Sequence, residues 1–226
     1  MAIIQSGASS TSLLTVDPTF LAARISDHPP EILGAYSMGL VSGALTGAAA
    51  GSTVFSFRWA PAVTTQLCMV RRIEVGFITT TAFGTAQGLA YSVQQARTWT
   101  ASDTGGTAAA FTQTNTGKQR TTMPTSAFAG GGQLMIANTG ANTAGTRTLD
   151  TQALGFTAGS STALGTSLTP QAIFQHSAGD YPIIFANNEG FIINNVIAMG
   201  ATGVINLYVN VEWMELNATT GNVIAY

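Results

Sequence analysis

The residue types of a serine hydrolase occur together at one place in the chain. His176 and Ser177 are adjacent, and Asp180 follows four residues after the histidine. A hydrolase needs a nucleophile, a base and an orienting acid that meet in space, often with the serine on a sharp strand-to-helix turn. The sequence has no such turn motif, and Pro182 follows closely. We therefore interpret the cluster as a turn and predict no catalytic site.

Metal and phosphate chemistry have little support in the sequence. His28 has no second nitrogen ligand nearby, and Cys68 is the only cysteine, so an intrachain disulfide and a cysteine-based metal cluster are excluded. Asp103 and Asp150 each provide one strong ligand, which leaves calcium open only as an alternative. The glycine-rich runs at 103–106 and 130–132 lack the lysine of a phosphate-binding loop. We predict no metal, no cofactor and no enzymatic activity.

Charged residues are scarce in this chain. They make up 8% of its 226 residues, about a third of the usual share, so threonine, serine, asparagine and glutamine must supply most of the polar surface. The net charge is -2 and there is no basic cluster, so we predict that the protein binds no nucleic acid. A surface that repels its own copies so weakly suits a protein that packs against a partner or itself.

One uncharged segment has features of a membrane span. Between residues 32 and 57 there is no charge, and glycines recur at every fourth position from Gly39 to Gly51. The segment nevertheless consists mostly of Gly, Ala, Ser and Thr and has no flanking basic clusters. We predict a Gly-rich hairpin or arm here and no membrane partner. The first twelve residues lack a basic segment followed by an apolar block, so we expect no secretory signal.

The clearest periodicity lies between residues 203 and 216. Apolar and polar residues alternate there, as in a strand with one face against a core. Glu212 and Glu215 are expected on opposite faces of this strand, so they cannot form the paired acids of a glycosidase. The predicted inward residues are Ile205, Leu207, Val209, Val211 and Trp213, and the outward residues are Asn206, Tyr208, Asn210 and Glu212.

Three further stretches have strand patterns. Residues 54–59 alternate, with Phe55, Phe57 and Trp59 on one side, and residues 36–45 form a weaker strand. In 67–78 the shared apolar face is interrupted by Arg71, while Arg72 and Glu74 are close enough to pair. The apolar face predicted for 67–78 consists of Leu67, Met69, Ile73, Val75 and Phe77.

The connections predict how these strands pair. Residues 67–78 and 89–99 are joined by a short loop, which implies an antiparallel pair. Residues 191–199 lead through a Gly-rich turn into 203–216, which predicts a hairpin. About seven or eight strands and no long amphipathic helix favour an all-β fold, namely an antiparallel β-sandwich with a jelly-roll-like topology.

The sequence divides into three parts. We predict an extended N-terminal arm at residues 1–33, a single β-sandwich domain at 34–216 and a C-terminal tail at 217–226. Within the domain, residues 100–169 are rich in Thr, Gly, Ala and Ser, which predicts long loops interrupted by short strands.

Several short motifs, taken in order, resemble a family of tailed-phage virion proteins regarded as head decoration, or cement, components. The similarity extends over residues 29–216. The motifs are Phe55-Ser56-Phe57-Arg58-Trp59, Val70-Arg71-Arg72-Ile73, Ala96-Arg97-Thr98-Trp99-Thr100, Asp103-Thr104-Gly105-Gly106-Thr107, Arg120-Thr121-Thr122-Met123-Pro124, Gly145-Thr146-Arg147-Thr148-Leu149-Asp150 and Asn188-Glu189-Gly190-Phe191-Ile192-Ile193-Asn194.

This resemblance implies a non-enzymatic protein on the outer surface of a virion capsid. Its partners would be the major capsid protein and further copies of itself, as a dimer or trimer, and many weak contacts would together bridge capsid subunits. We expect contacts from the arm and from the loops within 100–169. The residues expected to contact a partner are Phe20, Leu21, Arg24, His28, Pro29, Pro30, Arg120, Arg147 and Tyr208.

A second hypothesis is a host-recognition module on a tail or fibre, whose loops bind a surface glycan. Many copies on the head would exclude a receptor-binding tip, and few copies at the tail would exclude a cement protein. Six arginines have two interpretations, an internal ion pair or an interface contact, and we favour the internal pair for those on predicted strands. These arginines are Arg58, Arg71, Arg72, Arg97, Arg120 and Arg147.

Overall fold

The computed structural model describes residues 32–111, 117–161, 163–177 and 182–217. This part of the chain forms eleven β-strands and one short 3₁₀ helix, Ala127–Gly130. The strands are β1 (Ile32–Val41), β2 (Thr53–Trp59), β3 (Gln66–Thr81), β4 (Gln87–Arg97), β5 (Thr107–Ala108), β6 (Gln133–Ile136), β7 (Thr148–Ser161), β8 (Ser167–Gln175), β9 (Ile183–Phe185), β10 (Glu189–Asn195) and β11 (Val204–Asn217).

The strands form two antiparallel sheets. Sheet A has the order β1-β11-β3-β8, and β9 also pairs with β3. Sheet B has the order β5-β6-β2-β10-β4-β7. Side chains from both sheets meet in one buried cluster, so the predicted all-β antiparallel sandwich is confirmed. The jelly-roll topology stays a prediction, and this strand order is compatible with it.

Aromatic rings from both sheets form the centre of the core. Trp213 of β11 lies edge-on to Phe57 of β2, with 5.8 Å between the ring centroids. Phe128, in the 3₁₀ helix, packs edge-on against both rings, at 5.3 Å and 4.7 Å. The five inward residues predicted for β11 are all buried in this core. Alternation along β11 therefore predicted its two faces correctly.

A β-bulge in β3 changes which residues face the core. Glu212 pairs with Arg72 but Trp213 pairs with Val70, so Arg71 is an extra residue in the ladder and is exposed. Before the bulge, Cys68 and Val70 face the core, whereas Leu67 and Met69 face outward. The predicted inward position of these two residues is wrong, because one inserted residue inverts the alternation. Ile73, Val75 and Phe77 face inward as predicted.

Leu67 and Met69 belong to a second apolar cluster on the outer side of sheet A. Met69 packs there with Met214 and Leu216 of β11, and all three side chains are buried. Partly buried Ile32 and Ile184 pack against the same cluster. The bulge therefore gives one end of sheet A apolar residues on both faces.

The short connections cross between the sheets and do not form hairpins. β1 and β2, β3 and β4, and β10 and β11 are each split between sheet A and sheet B. The pair predicted for β3 and β4 and the hairpin predicted for β10 and β11 are therefore wrong, and of the hairpin or arm predicted within 32–57 the hairpin is not formed. Packed sheets lie about 10 Å apart, a distance that about three or four extended residues can span, so the length of a loop does not tell a crossing from a hairpin.

Residues 100–169 contain more regular structure than the sequence predicts. β7 is a fourteen-residue edge strand of sheet B that pairs with β4. Its side chains are mostly exposed, so it lacks the alternating apolar signal of a half-buried strand. The prediction of only short strands here is therefore wrong. Residues 32 and 33 of the predicted arm belong to β1, and residues 1–31 lie outside the described part of the chain.

The assignment of the β11 faces can be tested by truncating one residue on each side. We expect Trp213→Ala to lower the free energy of unfolding by about 3–5 kcal/mol, because it removes the ring that contacts Phe57 and Phe128. Tyr208→Ala, on the outward face, is the control and should cost about 1 kcal/mol or less. Urea unfolding of the isolated protein measures both, and equal losses would contradict the assignment.

Candidate functional site

The hydrolase-type residues lie after the edge strand β8. The backbone N–H of His176 donates a hydrogen bond to the carbonyl of Arg71 at 2.7 Å, which extends the contact between β8 and β3. Ser177 is exposed, and Asp180 lies outside the described residues. The described residues of this cluster thus continue the sheet edge, and no triad geometry is formed by them.

Most of the predicted partner-contact residues belong to the N-terminal arm. These six residues lie outside the part of the chain that the structure describes: Phe20, Leu21, Arg24, His28, Pro29 and Pro30. Of the remaining three, Arg120 is exposed, and its carbonyl accepts a hydrogen bond from the Met123 N–H at 3.0 Å within a turn. Tyr208 is half-buried on the outer face of sheet A.

Arg147, the last of the predicted contact residues, is committed to an internal ion pair. Its guanidinium contacts the Asp103 carboxylate, and the two side chains are 4% and 0% exposed. The guanidinium also donates to the Thr53 hydroxyl at 2.8 Å and lies over the Trp99 ring, 4.8 Å from its centroid. Arg147 is therefore not available to a partner, and the internal interpretation of this arginine is correct.

The Asp103–Arg147 pair joins two loops over the outer face of sheet B. Asp103 also accepts a hydrogen bond from the Gly145 N–H at 2.7 Å, and Thr104 pairs with Thr143 through two backbone hydrogen bonds. We call residues 99–106 and 142–147 the loop clamp. Beneath it, Trp99 packs on Ala96 and Ile192, which cover the outer side of the sheet. The clamp keeps these apolar residues out of water.

Arg58 ties the clamp to a neighbouring turn. Its guanidinium donates to the Ser102 hydroxyl at 2.7 Å and to the Asn188 side-chain oxygen at 2.8 Å. Burial lowers the pKa of Arg58, and these polar partners compensate in part for the water that it loses. Nearby, Arg97 contacts both Asp150 and Glu189, and the hydrogen bond to Asp150 raises the pKa of Arg97.

These contacts explain the short motifs identified in the sequence. Five of the motifs contribute to this one network, through residues 58, 97, 103, 147–150 and 188–189. Asp103 and Asp150, the alternative calcium ligands, each pair with an arginine instead. No local pattern in the sequence indicates this pairing, since Asp103 and Arg147 are 44 positions apart.

A second buried polar site surrounds Glu215. Its carboxylate accepts hydrogen bonds from the Ser126 hydroxyl at 2.6 Å, the Ala127 N–H at 3.0 Å and the Trp213 indole N–H at 3.2 Å. Burial raises the pKa of Glu215, although these donors favour the charged form. The carboxylate thus holds the start of the 3₁₀ helix against β11 and places Phe128 in the core.

Two other titratable groups lie near Glu215. Cys68 is its cross-strand partner on β3, and burial, aided by the negative charge of Glu215, raises the pKa of the thiol. Burial and the same charge also raise the pKa of Tyr36, whose hydroxyl donates to the Pro124 carbonyl at 3.0 Å. A thiol kept protonated in this way is a poor nucleophile. Glu215 and Glu212 point to opposite faces of β11, as predicted.

The outer face of sheet A is a broad surface with little charge. Tyr208 lies at its centre, between Val41 of β1 and Gly76 of β3. Gly76 has no side chain, and the β8 backbone at Leu168 and Pro170 occupies the space that its Cβ would fill. The charges on this face are largely paired, since Arg72 contacts Glu74 as predicted, and Asn210 donates to Glu74 at 3.2 Å.

The sequence was compared with protein-family models and with curated proteins. No protein-family model matches the chain, and no curated protein matches it at a significant level. In the described residues, no group of three or more His, Cys, Asp or Glu side chains could hold a metal ion. Nor does any helix among them have the length and apolar character needed to cross a membrane.

The loop clamp makes a prediction about stability. We expect Arg147→Met to lower the free energy of unfolding by about 3–5 kcal/mol, because it leaves the buried Asp103 carboxylate without a counter-charge. The control is Arg97→Met, which breaks an ion pair whose side chains are 46% and 37% exposed, and which should cost about 1 kcal/mol or less. Urea unfolding compares the two variants, and similar losses would show that the buried pair has no special role.

Glu215 makes a prediction about pH. Because its pKa is raised in the folded protein, the stabilisation from its protonated form is fully present below the ordinary glutamate value of 4.5 and is lost as pH rises through the folded pKa. Glu215→Gln should therefore become more stable relative to the wild type as pH increases through this window. Unfolding free energies measured from acid to neutral pH test this, and a constant difference would contradict it.

Proposed function

We propose that the protein is a non-enzymatic virion structural protein that binds the outside of a tailed-phage head. It stabilises the capsid by bridging neighbouring major capsid protein subunits, and it self-associates as a dimer or trimer on the capsid surface. The proposal rests on the resemblance of the sequence motifs and on one structural observation, the nearly neutral outer face of sheet A with Tyr208 at its centre.

This face has the properties of a protein-binding surface. Tyrosine is enriched at the energetic centres of interfaces because its large, stiff ring is apolar while its hydroxyl can hydrogen bond. No hydrogen bond joins the Tyr208 hydroxyl to another described residue, so it is available to a partner. Val41, beside it, is 53% exposed and enlarges the apolar centre. Paired charges around this centre keep the cost of removing water low.

Repetition on a capsid makes a modest interface sufficient. A capsid presents identical sites at fixed spacing, and a self-associated binder can occupy several of them at once. Each additional contact is then made at a high effective concentration. The low charge of the chain supports this role, because neighbouring copies on a crowded shell repel each other weakly.

Charging the centre of this face tests the proposal. We expect Tyr208→Lys to weaken binding to purified heads by about thirtyfold per site or more, because a lysine replaces an interface anchor with a solvated charge. The unfolding free energy of the isolated protein should change by only about 1 kcal/mol or less. Occupancy on heads that lack the protein, measured by co-sedimentation, gives the result.

Val63→Lys is the control variant. Val63 is 53% exposed in the connection between β2 and β3 and receives the same change in charge. It should bind heads as the wild type does. Unchanged occupancy for Tyr208→Lys would exclude this face as the capsid contact, and unfolding of that variant would show that the outward face is part of the core.

A further inference from the structure

A shallow groove of about 310 Å³ lies on the outer face of sheet B, beyond the loop clamp. Its floor is formed by β4 and β10, and β7 forms one wall. Phe156 on β7, Ser92 on β4 and Asn194 on β10 are direct cross-strand neighbours and form one row across it. The volume is at the lower end of the range for ligand pockets, about 300 to 1,000 Å³.

The lining of the groove is polar but carries no charge. Gln94 and Asn194 lie on the floor, and Thr151 and Gln152 lie at the β7 wall. Amide side chains provide donors and acceptors together, and hydroxyl groups provide both on one atom. A ligand that matches this lining has many neutral groups that both donate and accept. An anionic ligand finds no cation among the described lining residues.

Ser92 places a free hydroxyl on the floor of the groove. The residue is only 6% exposed, and its hydroxyl forms no hydrogen bond with another described residue. The hydroxyl is not among the buried polar atoms that lack a partner, so it is reachable from the groove. A ligand hydroxyl that enters the groove can therefore form a hydrogen bond with Ser92. Gln152, which is exposed, also has an amide without a partner among the described residues.

Phe156 adds an apolar platform beside these polar groups. Its side chain is 67% exposed, which is unusual for an aromatic ring, and it stands directly across the strand pair from Ser92. Val196, 39% exposed, lies on the opposite side of the groove. A ring with an apolar face and hydroxyl groups at its edge would pack on Phe156 and bond to the floor at the same time.

We propose that this groove binds a neutral carbohydrate, with one sugar ring stacked on Phe156 and its hydroxyl groups bonded to Ser92 and Gln152. Pyranose sugars combine an apolar C–H face with a periphery of hydroxyl groups that donate and accept. The groove lies on sheet B, whereas the proposed capsid contact lies on sheet A. The two sites therefore use different sheets, and copies fixed on a shell would present many grooves and bind a polysaccharide with high avidity.

The experiment titrates the full chain with short neutral oligomers of glucose, galactose and N-acetylglucosamine, and with an anionic oligomer of galacturonic acid. Chemical-shift changes in the NMR spectrum report binding. We expect at least one neutral oligomer to bind with a Kd of about 1 mM or below, and the anionic oligomer to bind more weakly. Absence of binding by every neutral oligomer at about 10 mM, or equal binding of the anionic one, overturns the proposal.

Variants of exposed residues locate the site. Phe156→Ala should weaken binding of the neutral oligomer about two- to tenfold, and Gln152→Ala should weaken it by a similar factor. Leu164→Ala removes another apolar side chain, 69% exposed in the turn between β7 and β8, and should not change binding. Equal affinity of Phe156→Ala and the wild type overturns the assignment. Both groove variants should still occupy heads normally, so this test can fail without the capsid proposal failing.

Discussion

The buried ion pair between Arg147 and Asp103 is the interaction on which the surface architecture depends. A chain with 8% charged residues places two of them almost entirely out of water, and their mutual contact, with the hydrogen bonds to Gly145 and Thr53, compensates for the lost water. The pair holds two loops over the Trp99, Ala96 and Ile192 cluster. Farther along the same strands, past Gln94, sheet B is left open and forms the groove. One ion pair thus separates a closed half of the sheet from an accessible half.

The sequence predicted strands well where one face is buried and the other is not. β11 alternates from Ile205 to Trp213, and its inward residues there are those of the core. β7 was not predicted, because the small polar residues of a mostly exposed strand show no alternation of apolar and polar positions. The pairing partner of each strand could not be predicted either, because connections that cross between sheets and hairpin loops have similar lengths. The bulge at Arg71 was visible only as an arginine in an apolar series.

The candidate sites, like the strand pairing, could be predicted only where a local sequence pattern exists. Tyr208 could be predicted as outward-facing because its strand is strongly periodic. Arg147 was misplaced because it lies in a Thr- and Gly-rich segment that resembles an exposed loop, while its partner is distant in sequence. The groove requires Ser92, Phe156 and Asn194 from three strands, and only the pairing of β7, β4 and β10 brings them together. No local spacing encodes that arrangement.

The pairing of β1 with β11 has a consequence for how the chain folds during synthesis. Ile32 lies beside Leu216, so the central strand of sheet A is completed only after nearly all of the domain has left the ribosome. Trp213, which the aromatic core surrounds, arrives at the same late stage. Until then the earlier strands expose apolar surface without their neighbour, and such non-local topologies fold slowly. A chain that ended before β11 would leave β1 and β3 without the strand that lies between them.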